Sequence, residues 1–433
     1  MRDRKVRFTT LWHHVYDVRR LREAYRGLTP ETSAGVDGVT CSQYGQDLEQ
    51  RLEELSARLA RGACRARPVR RVFIPKPDGQ QRALGVPTVE DRIVQRSAAQ
   101  VIEAVFEADF LGFSYGFRPG RGAHDALNAL AVGIEREVSW VLDADIRGFF
   151  DAIDHEWMMR FVEHRIADQR ILRQLRKWLK AGVLVDGKVE AAERGTPQGG
   201  SISPLLANIY LHFVFDLWAH DWRQRNARGR VVLVRYADDF VVGFQHRSDA
   251  LRFLEELRAR MQRFHLELHP EKTRLIEFGR FARKIRKRRG QPPPESFDFL
   301  GFTHVCATTR KGRFRLARRT IKKRQRAKVA AIKAMLRRRM HDPPRQVGLW
   351  LERLLLGYYR YFAVPTNSKS LDQFRYQILR HWRRVLFRRG QKSKVPWRRF
   401  GPLTDRYLPR PRILHPWPSI ELLVTTRGRS PVR

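Results

Sequence analysis

Cysteine is scarce in this sequence, which contains three cysteines, Cys41, Cys64 and Cys306, among 433 residues. Their wide separation excludes a disulfide framework and a structural zinc cluster of the four-cysteine type. The adjacent histidines His13 and His14 offer no substitute, because two histidines without further ligands are more typical of a polar surface than of a metal site. The fold must therefore be held together by packing rather than by cross-links.

Long apolar runs are also missing. No stretch of about 18 apolar residues is present, which is the length that a membrane-spanning helix requires. The basic residues 1–5 are not followed by the apolar core of a signal peptide. We therefore expect a soluble, intracellular protein with no membrane segment.

Acidic residues are in short supply as well. Asp and Glu total 45 against 86 Lys and Arg, which gives a formal net charge of +41. A solvated surface does not need such an excess, so a nucleic acid is the favoured partner, and an anionic membrane surface is the alternative. The chain is long enough for two or three domains with a sizeable core.

The most informative stretch is Tyr236-Ala237-Asp238-Asp239, which lies between two short, β-branched runs at 231–235 and 240–244. This pattern predicts a hairpin whose tight turn presents two adjacent carboxylates. Two like charges about 4 Å apart repel by roughly 1 kcal/mol in water and about 4 kcal/mol near a protein surface. The pair therefore indicates a bound cation, although an ordinary Asp-rich turn is the alternative.

A polymerase needs a third carboxylate on a neighbouring strand, so that two divalent ions can bind the attacking and leaving oxygens. Residues 139–146 read as such a strand, and they carry Asp143 and Asp145. The two side chains lie on the same face because strand residues alternate. Spacing alone does not choose between them.

Seven sequence blocks follow one another in the order found in reverse transcriptases, and the chain resembles the bacterial group II intron type in particular. The blocks are FIPKPDG (73–79), GFRP (116–119), ADIRGFFD (144–151), GTPQGGSISPLL (195–206), YADD (236–239), PEKT (270–273) and FLGF (299–302). The resemblance selects Asp145 over Asp143. It implies that two Mg²⁺ ions are held by Asp145, the Ile146 position, Asp238 and Asp239, with the three aspartates catalytic.

The resemblance also implies a set of nucleotide-binding residues: Lys76, Arg82, Phe150, Gln198 and Lys272. Phe150 would close under the incoming sugar and exclude a 2′-hydroxyl, and Lys272 would lie near the leaving pyrophosphate. Taken without the resemblance, Phe150 reads as a core residue and the cations read as solvated turn charges.

Residues 318–339 are half Lys and Arg and contain no acidic residue. An apolar stripe runs through them at helical spacing, which predicts a helix whose basic face docks on a duplex. The nucleic-acid-binding candidates here are Arg318, Arg319, Lys322, Lys323 and Arg326. A helix lying on a membrane surface is the alternative.

The implied fold is α+β, a right-hand polymerase whose fingers and palm carry a mixed sheet. We expect a helical N-terminal extension at 1–65, fingers and palm at 66–305, and a helical thumb and maturase region at 306–394. The leucines at 48, 52, 55 and 59 support helix in the first of these regions. Residues 395–433 are basic and proline-rich, and we expect an extended tail.

The implied function is RNA-directed DNA polymerisation, which extends a DNA or RNA primer on an RNA template from deoxynucleoside triphosphates. The template would be a group II intron RNA whose splicing and mobility the protein assists, in a bacterial cytoplasmic ribonucleoprotein or at the nucleoid. Many relatives carry a nuclease domain with cysteine pairs after the thumb, and none is expected here. Two alternatives stay open: a free-standing reverse transcriptase in DNA repair or phage defence, and a protein that acts mainly as an RNA-binding splicing factor.

Overall fold

The computed structural model describes residues 6–75, 81–185, 188–190, 194–196, 199–389 and 396–420, and the elements below refer to these residues. The first helices are α1 (Trp12–Tyr16), α2 (Val18–Arg26), α3 (Cys41–Tyr44), α4 (Leu48–Ala60), α5 (Val89–Phe106), α6 (Ala123–Glu137), α7 (Phe149–Ala152), α8 (His155–Glu163) and α9 (Gln169–Lys180). They are followed by α10 (Ser203–Leu211), α11 (Leu217–Arg225), α12 (Arg247–Arg263), α13 (Ala282–Arg288), α14 (Lys322–Arg338), α15 (Pro344–Phe362), α16 (Ser368–Phe387) and α17 (Trp397–Tyr407). A 3₁₀ turn (Gly45–Asp47) precedes α4, and a π-helical turn (His212–Asp216) joins α10 to α11.

The strands form three sheets. They are β1 (Val69–Pro75), β2 (Gln81–Val86), β3 (Trp140–Ala144), β4 (Val183–Val185), β5 (Lys188–Glu190), β6 (Val231–Tyr236), β7 (Asp239–Phe244), β8 (Arg274–Glu277), β9 (Phe297–Phe299), β10 (Phe302–Thr308) and β11 (Phe314–Thr320). The strand orders are β2-β1-β4-β5, β6-β7-β3-β8 and β11-β10-β9. Strand β1 is antiparallel to β2 and parallel to β4, so the first sheet is mixed.

The described residues divide into two compact units. Unit one comprises those within Met1–Ala126, Leu142–Val242 and His246–Arg274, and unit two comprises those within Leu127–Val141, Gly243–Gln245 and Leu275–Arg433. In unit one, the leucine stripe of α4 is confirmed, because Leu52, Leu55 and Leu59 are fully buried. The predicted hairpin is confirmed as β6 and β7.

Unit two is built around the long helices α14, α15 and α16. The apolar stripe predicted for α14 is confirmed, since Val329, Ile332 and Leu336 are buried in the core that these helices share. The core also contains aromatic side chains, such as Trp382 on α16, which is fully buried. Exposed cations cover the other faces of α14.

Two predictions for unit two are wrong. Residues 302–320 form the antiparallel strands β10 and β11, so the helical region begins at Lys322 rather than near 306. The chain after 395 is not simply extended, because α17 inserts Phe400 and Tyr407 into the core against Trp382. Burying the large rings of Phe400 and Tyr407 stabilises this helix. The prolines and arginines around it had indicated an extended chain.

None of the helices in the described residues is long and apolar enough to cross a membrane.

Candidate active site

The aspartate hairpin is joined by a turn of two residues, Ala237 and Asp238. Ala237 has φ +56°, the positive value that the first central residue of a type II′ hairpin turn requires and that glycine usually supplies. The backbone of Gly116 lies close beneath this turn, where an added Cβ would come within 2.4 Å of the Ala237 nitrogen. Glycine at position 116 therefore allows its own backbone and that of the aspartate turn to approach each other closely.

Asp145 follows β3, the strand next to β7 in its sheet. The Ser139 N–H donates to the Phe244 carbonyl at 2.8 Å, so the start of β3 lies beside the end of β7. Because the start of one strand lies beside the end of the other, the two strands can pair along their length only if they run antiparallel. Counting six residues forward from Ser139 and six residues back from Phe244 places Asp145 opposite Asp238. The three predicted catalytic aspartates therefore come to the same end of the sheet.

Asp143 and Asp145 have different partners. Lys272 Nζ lies 2.8 Å from Asp145 Oδ2, whereas Arg274 Nη2 lies 3.2 Å from Asp143 Oδ2. The side chain of Lys272 is 60% exposed, so solvent weakens its ion pair with Asp145. The structure thus brings Lys272 to the aspartate that the resemblance selects. Its contact with a pyrophosphate stays a prediction.

The Ile146 side chain is a buried hydrocarbon without donor atoms, so this residue can bind a metal only through its backbone carbonyl. The His269 N–H donates to the Asp145 carbonyl, and the Arg147 N–H donates to the Glu267 carbonyl, both at 2.8 Å. These two bonds flank an antiparallel bridge between Ile146 and Leu268. In such a pair the Ile146 carbonyl points away from Leu268 and stays available to another ligand.

The donor set is chemically suited to Mg²⁺, because it consists of carboxylates and one backbone carbonyl. Within the ranges that the structure describes, no three carboxylate, histidine or cysteine side chains are already gathered into a metal cluster. The Lys272 ammonium instead provides the positive charge beside Asp145. A divalent ion at Asp145 would therefore compete with Lys272 for the carboxylate.

The two phenylalanines after Asp145 have different environments. Phe149 is 2% exposed and belongs to the core, where its ring packs edge-on against Tyr210. Phe150 is half-buried, with its ring centroid 5.4 Å from that of Phe149. The half-buried position leaves part of the Phe150 ring accessible, as contact with a sugar would require.

The glycine-rich loop is hydrogen-bonded to the segment that carries Phe150. The Thr196 N–H donates to the Phe150 carbonyl at 2.8 Å, and the Gly195 N–H donates to the Ile153 carbonyl at 2.7 Å. Gly199 has φ +117° and lies against the Gly85 backbone of β2. The loop therefore joins β2 to the segment after Asp145.

Three nucleotide-binding predictions are not tested by these contacts. Lys76 and Gln198 lie outside the described residues, and the side chain of Arg82 does as well. The Arg82 backbone pairs with Ile74 in the β1–β2 hairpin, which confirms the hairpin alone.

The cations predicted to bind nucleic acid divide by burial. Lys322, Lys323 and Arg326 are exposed on α14, and Arg319 is exposed on β11. Arg318 is 2% exposed, and its Nη1 donates to Asn128 Oδ1 at 3.0 Å. The prediction for Arg318 is wrong, because a buried guanidinium cannot reach a phosphate backbone.

Two basic grooves beside α14 were not predicted. A groove of about 470 Å³ toward α15 is lined by cations that include Arg324, Lys328 and Arg353. A groove of about 710 Å³ toward α16 is lined by Lys333, Arg337, His381, Arg384 and Arg388. Burial and then the neighbouring cations, Lys333 foremost, lower the pKa of His381. The excess of positive charge indicated a basic surface. The packing of α14 against α15 and α16 determines that the cations line two separate grooves.

Comparison with known proteins identifies the family of this chain. The family model for reverse transcriptase (RNA-dependent DNA polymerase) matches residues 74–304, more than half of the chain. The chain therefore belongs to the reverse transcriptase family, and the predicted enzyme class is confirmed.

Several curated relatives are similar to this chain. Protein YkfC of Escherichia coli (strain K12) is 33% identical over 336 residues, which cover 70% of this chain and 84% of YkfC. The group II intron-encoded protein LtrA of Lactococcus lactis subsp. cremoris is 34% identical over 209 residues, which cover 47% of this chain and 34% of LtrA. An uncharacterized 91 kDa protein in the cob intron of Schizosaccharomyces pombe is 31% identical over 261 residues, covering 59% of this chain and 31% of that protein. The chain thus spans less than half of either intron-associated relative.

Proposed function

We propose that this reverse transcriptase extends a DNA or RNA primer on an RNA template by magnesium-dependent nucleotidyl transfer from deoxynucleoside triphosphates. The observation that carries the proposal is the position of Asp145 opposite the Asp238–Asp239 turn at one end of a sheet. Bound there, two Mg²⁺ ions would lower the pKa of the primer 3′-hydroxyl and neutralise charge in the transition state.

Each candidate residue has a role in this proposal. Asp145, Asp238, Asp239 and the Ile146 carbonyl hold the metal ions. Phe150, which is half-buried and whose carbonyl accepts a hydrogen bond from the glycine-rich loop, excludes the 2′-hydroxyl of a ribonucleotide. Lys272 is assigned to the pyrophosphate, and its 2.8 Å contact with Asp145 supports a place next to the metal ligands. The remaining nucleotide contacts are assigned to Lys76, Arg82 and Gln198.

The architecture is proposed to be that of a right hand. The β1–β2 hairpin serves as fingers, and the β6-β7-β3-β8 sheet serves as palm. Helices α14, α15 and α16 serve as thumb, with the exposed Lys322, Lys323 and Arg326 on a template–primer backbone. Side chains that contact phosphates position a duplex without reading its sequence, as a general polymerase needs.

The RNA partner is proposed to be a group II intron, which the chain would help to splice and move. The proposal draws on the names of LtrA and of the cob intron protein, each similar to part of this chain. The two basic grooves beside α14 also offer surface on which cations can contact RNA phosphates.

Primer extension on an RNA template tests the proposed chemistry, with Asp145→Asn compared against Asp143→Asn. Both substitutions remove one carboxylate charge from the same strand end, so they form a matched pair. We expect Asp145→Asn to abolish extension and Asp143→Asn to retain most of it. Loss of extension in Asp143→Asn alone would show that the metal ligand was assigned to the wrong residue.

A further inference from the structure

A buried ion pair lies next to the aspartate turn. Arg235, the residue before Tyr236, and Asp216 are both fully buried. Arg235 Nε donates to Asp216 Oδ1 at 2.7 Å, and Arg235 Nη2 donates to Asp216 Oδ2 at 2.5 Å. This bidentate geometry matches the planar guanidinium to the carboxylate and satisfies both charges away from water.

The same guanidinium reaches the turn. Arg235 Nη1 donates to the Ala237 carbonyl at 2.9 Å and to Asn208 Oδ1 at 3.0 Å. The Asn208 side chain is also fully buried, and its Nδ2 donates to the Gly116 carbonyl at 2.7 Å. Because the Ala237 carbonyl belongs to the peptide that leads into Asp238, this network holds the backbone of the aspartate pair.

Hydrogen bonds from a third segment fix the base of the network. The Arg235 N–H donates to the Phe113 carbonyl at 2.9 Å, and the Tyr115 N–H donates to the Arg235 carbonyl at 2.8 Å. Arg235 is thereby held at its backbone and at its side chain. The turn is connected through it to residues 113–116 and to the helix that carries Asn208.

The π-helical turn His212–Asp216 explains how Asn208 and Asp216 reach the same guanidinium. In an uninterrupted α-helix, residues eight apart differ by about 80° around the axis. A π turn accommodates one extra residue, so the two side chains return to within roughly 20° of each other. The interruption in the helix thus places a carboxylate and an amide on one face.

The turn needs external support because Ala237 adopts a positive φ. A non-glycine residue in this region is strained, and such strain persists only where the surroundings over-determine the conformation. The Arg235–Ala237 hydrogen bond and the close approach of Gly116 supply that constraint.

We propose that Arg235, Asp216 and Asn208 are positioning residues, which hold the Ala237–Asp238 turn in the conformation that presents the aspartates to metal ions. This inference rests on the proposed function, because it assigns the network to the metal ligands of that reaction. The three residues lie beneath the turn and act through its backbone. Substituting these residues should therefore raise the Mg²⁺ concentration that primer extension requires, in addition to lowering stability.

Arg235→Lys tests the inference, with Arg165→Lys as the matched control. Arg165 also forms a buried ion pair in unit one, with Asp109, but this pair contacts residues near Phe8 rather than the aspartate turn. Lysine keeps the charge at either site and loses the planar fork. Thermal unfolding and the Mg²⁺ concentration for half-maximal primer extension are measured for wild type and both variants.

We expect both variants to unfold at lower temperature. Only Arg235→Lys should need more Mg²⁺, by about tenfold, which is the scale of losing one hydrogen bond to a charged group. Adding Ala237→Gly to Arg235→Lys should restore part of the metal affinity, because glycine adopts positive φ without strain. An unchanged Mg²⁺ requirement in Arg235→Lys would overturn the inference and leave the network a purely structural role.

A milder variant covers the case in which Arg235→Lys does not fold. Asn208→Ala removes the link to Gly116 but keeps the Arg235–Asp216 pair, and we expect the Mg²⁺ requirement to rise by a smaller factor. No rise in folded Asn208→Ala would also overturn the inference. Failure of the proposed function is a distinct result, because wild-type protein would then extend no primer at any Mg²⁺ concentration.

Discussion

Two arginines of unit one, Arg235 and Arg118, and two arginines on α14 of unit two, Arg326 and Arg337, have opposite environments. Arg235 and Arg118 are buried, and their side chains donate to Asp216, to Glu107 and to backbone carbonyls. Arg326 and Arg337 on α14 are exposed. An arginine whose donors are already used inside the protein supports the fold, whereas an exposed one can meet a phosphate.

This difference predicts different responses to substitution. Removing one partner of a buried pair leaves an uncompensated charge, which typically costs about 3–5 kcal/mol of stability. Removing an exposed cation changes stability little and weakens nucleic-acid binding in a salt-dependent manner. Four sets of substitutions test that contrast, beginning with the largest expected effect.

Asp238→Asn should separate catalysis from RNA binding. We expect DNA synthesis to fall by at least about 10²–10³-fold, the scale of losing one group that stabilises transition-state charge. RNA affinity should persist, because one changed turn residue barely alters a net charge of +41. Primer extension and filter binding are measured on the same preparation, with wild type as the control. Parallel loss of synthesis and binding in a folded variant would contradict the separation.

The neighbours Arg318 and Arg319 allow the contrast to be tested within one strand. Arg318→Gln should lower the free energy of unfolding by about 1.5–3 kcal/mol, because a buried hydrogen bond from a charged group to Asn128 is removed. Arg319→Gln should stay within about 0.5 kcal/mol of wild type. Denaturant unfolding gives both values. Equal destabilisation by the two substitutions would contradict the burial of Arg318.

Burial also governs His304, which packs face to face with Phe297 at 4.8 Å between ring centroids. Burial, and then the charge of Arg318, lower the pKa of His304 to about 3. The unfolded chain binds a proton near pH 6.5 and the folded chain does not, so stability should fall as pH drops from 6.5 toward about 3. The slope is roughly 1.4 kcal/mol per pH unit at most. His304→Phe should flatten this part of the profile, as measured by denaturant unfolding at several pH values. An identical profile would show that His304 does not titrate on unfolding.

The smallest change is expected from the exposed cations of α14. Replacing Lys322, Lys323 and Arg326 with Gln should lower the slope of log affinity against log salt by roughly 0.9 for each phosphate that the protein no longer neutralises, the value for B-form DNA. Stability should hardly change. The matched control replaces three exposed cations of α12, Arg247, Arg258 and Arg263, which removes the same charge. Equal slopes for the two triple variants would mean that α14 binds no differently from the rest of the surface.

Parts of the fold that depend on neighbouring residues were predictable from the sequence. The β6–β7 hairpin follows from β-branched runs around a tight turn, and the buried stripes of α4 and α14 follow from helical spacing. The family of the chain was predictable as well, because seven motifs occur in one order. The extended tail was predicted wrongly, since Phe400 and Tyr407 find their packing partner, Trp382, on a helix well before them in the chain.

The sequence by itself determined the paired aspartates, the excess of positive charge and the helical or extended character of most segments, because these depend on composition and short-range periodicity. Only the tertiary structure decided which charged groups are buried and which partners they have. It separated Arg318 from Arg319, assigned Lys272 to Asp145 and Arg274 to Asp143, and paired Asp216 with Arg235, nineteen residues later in the chain. Hydrogen bonding inside a protein depends on which distant segments are brought together, and no local pattern carries that information.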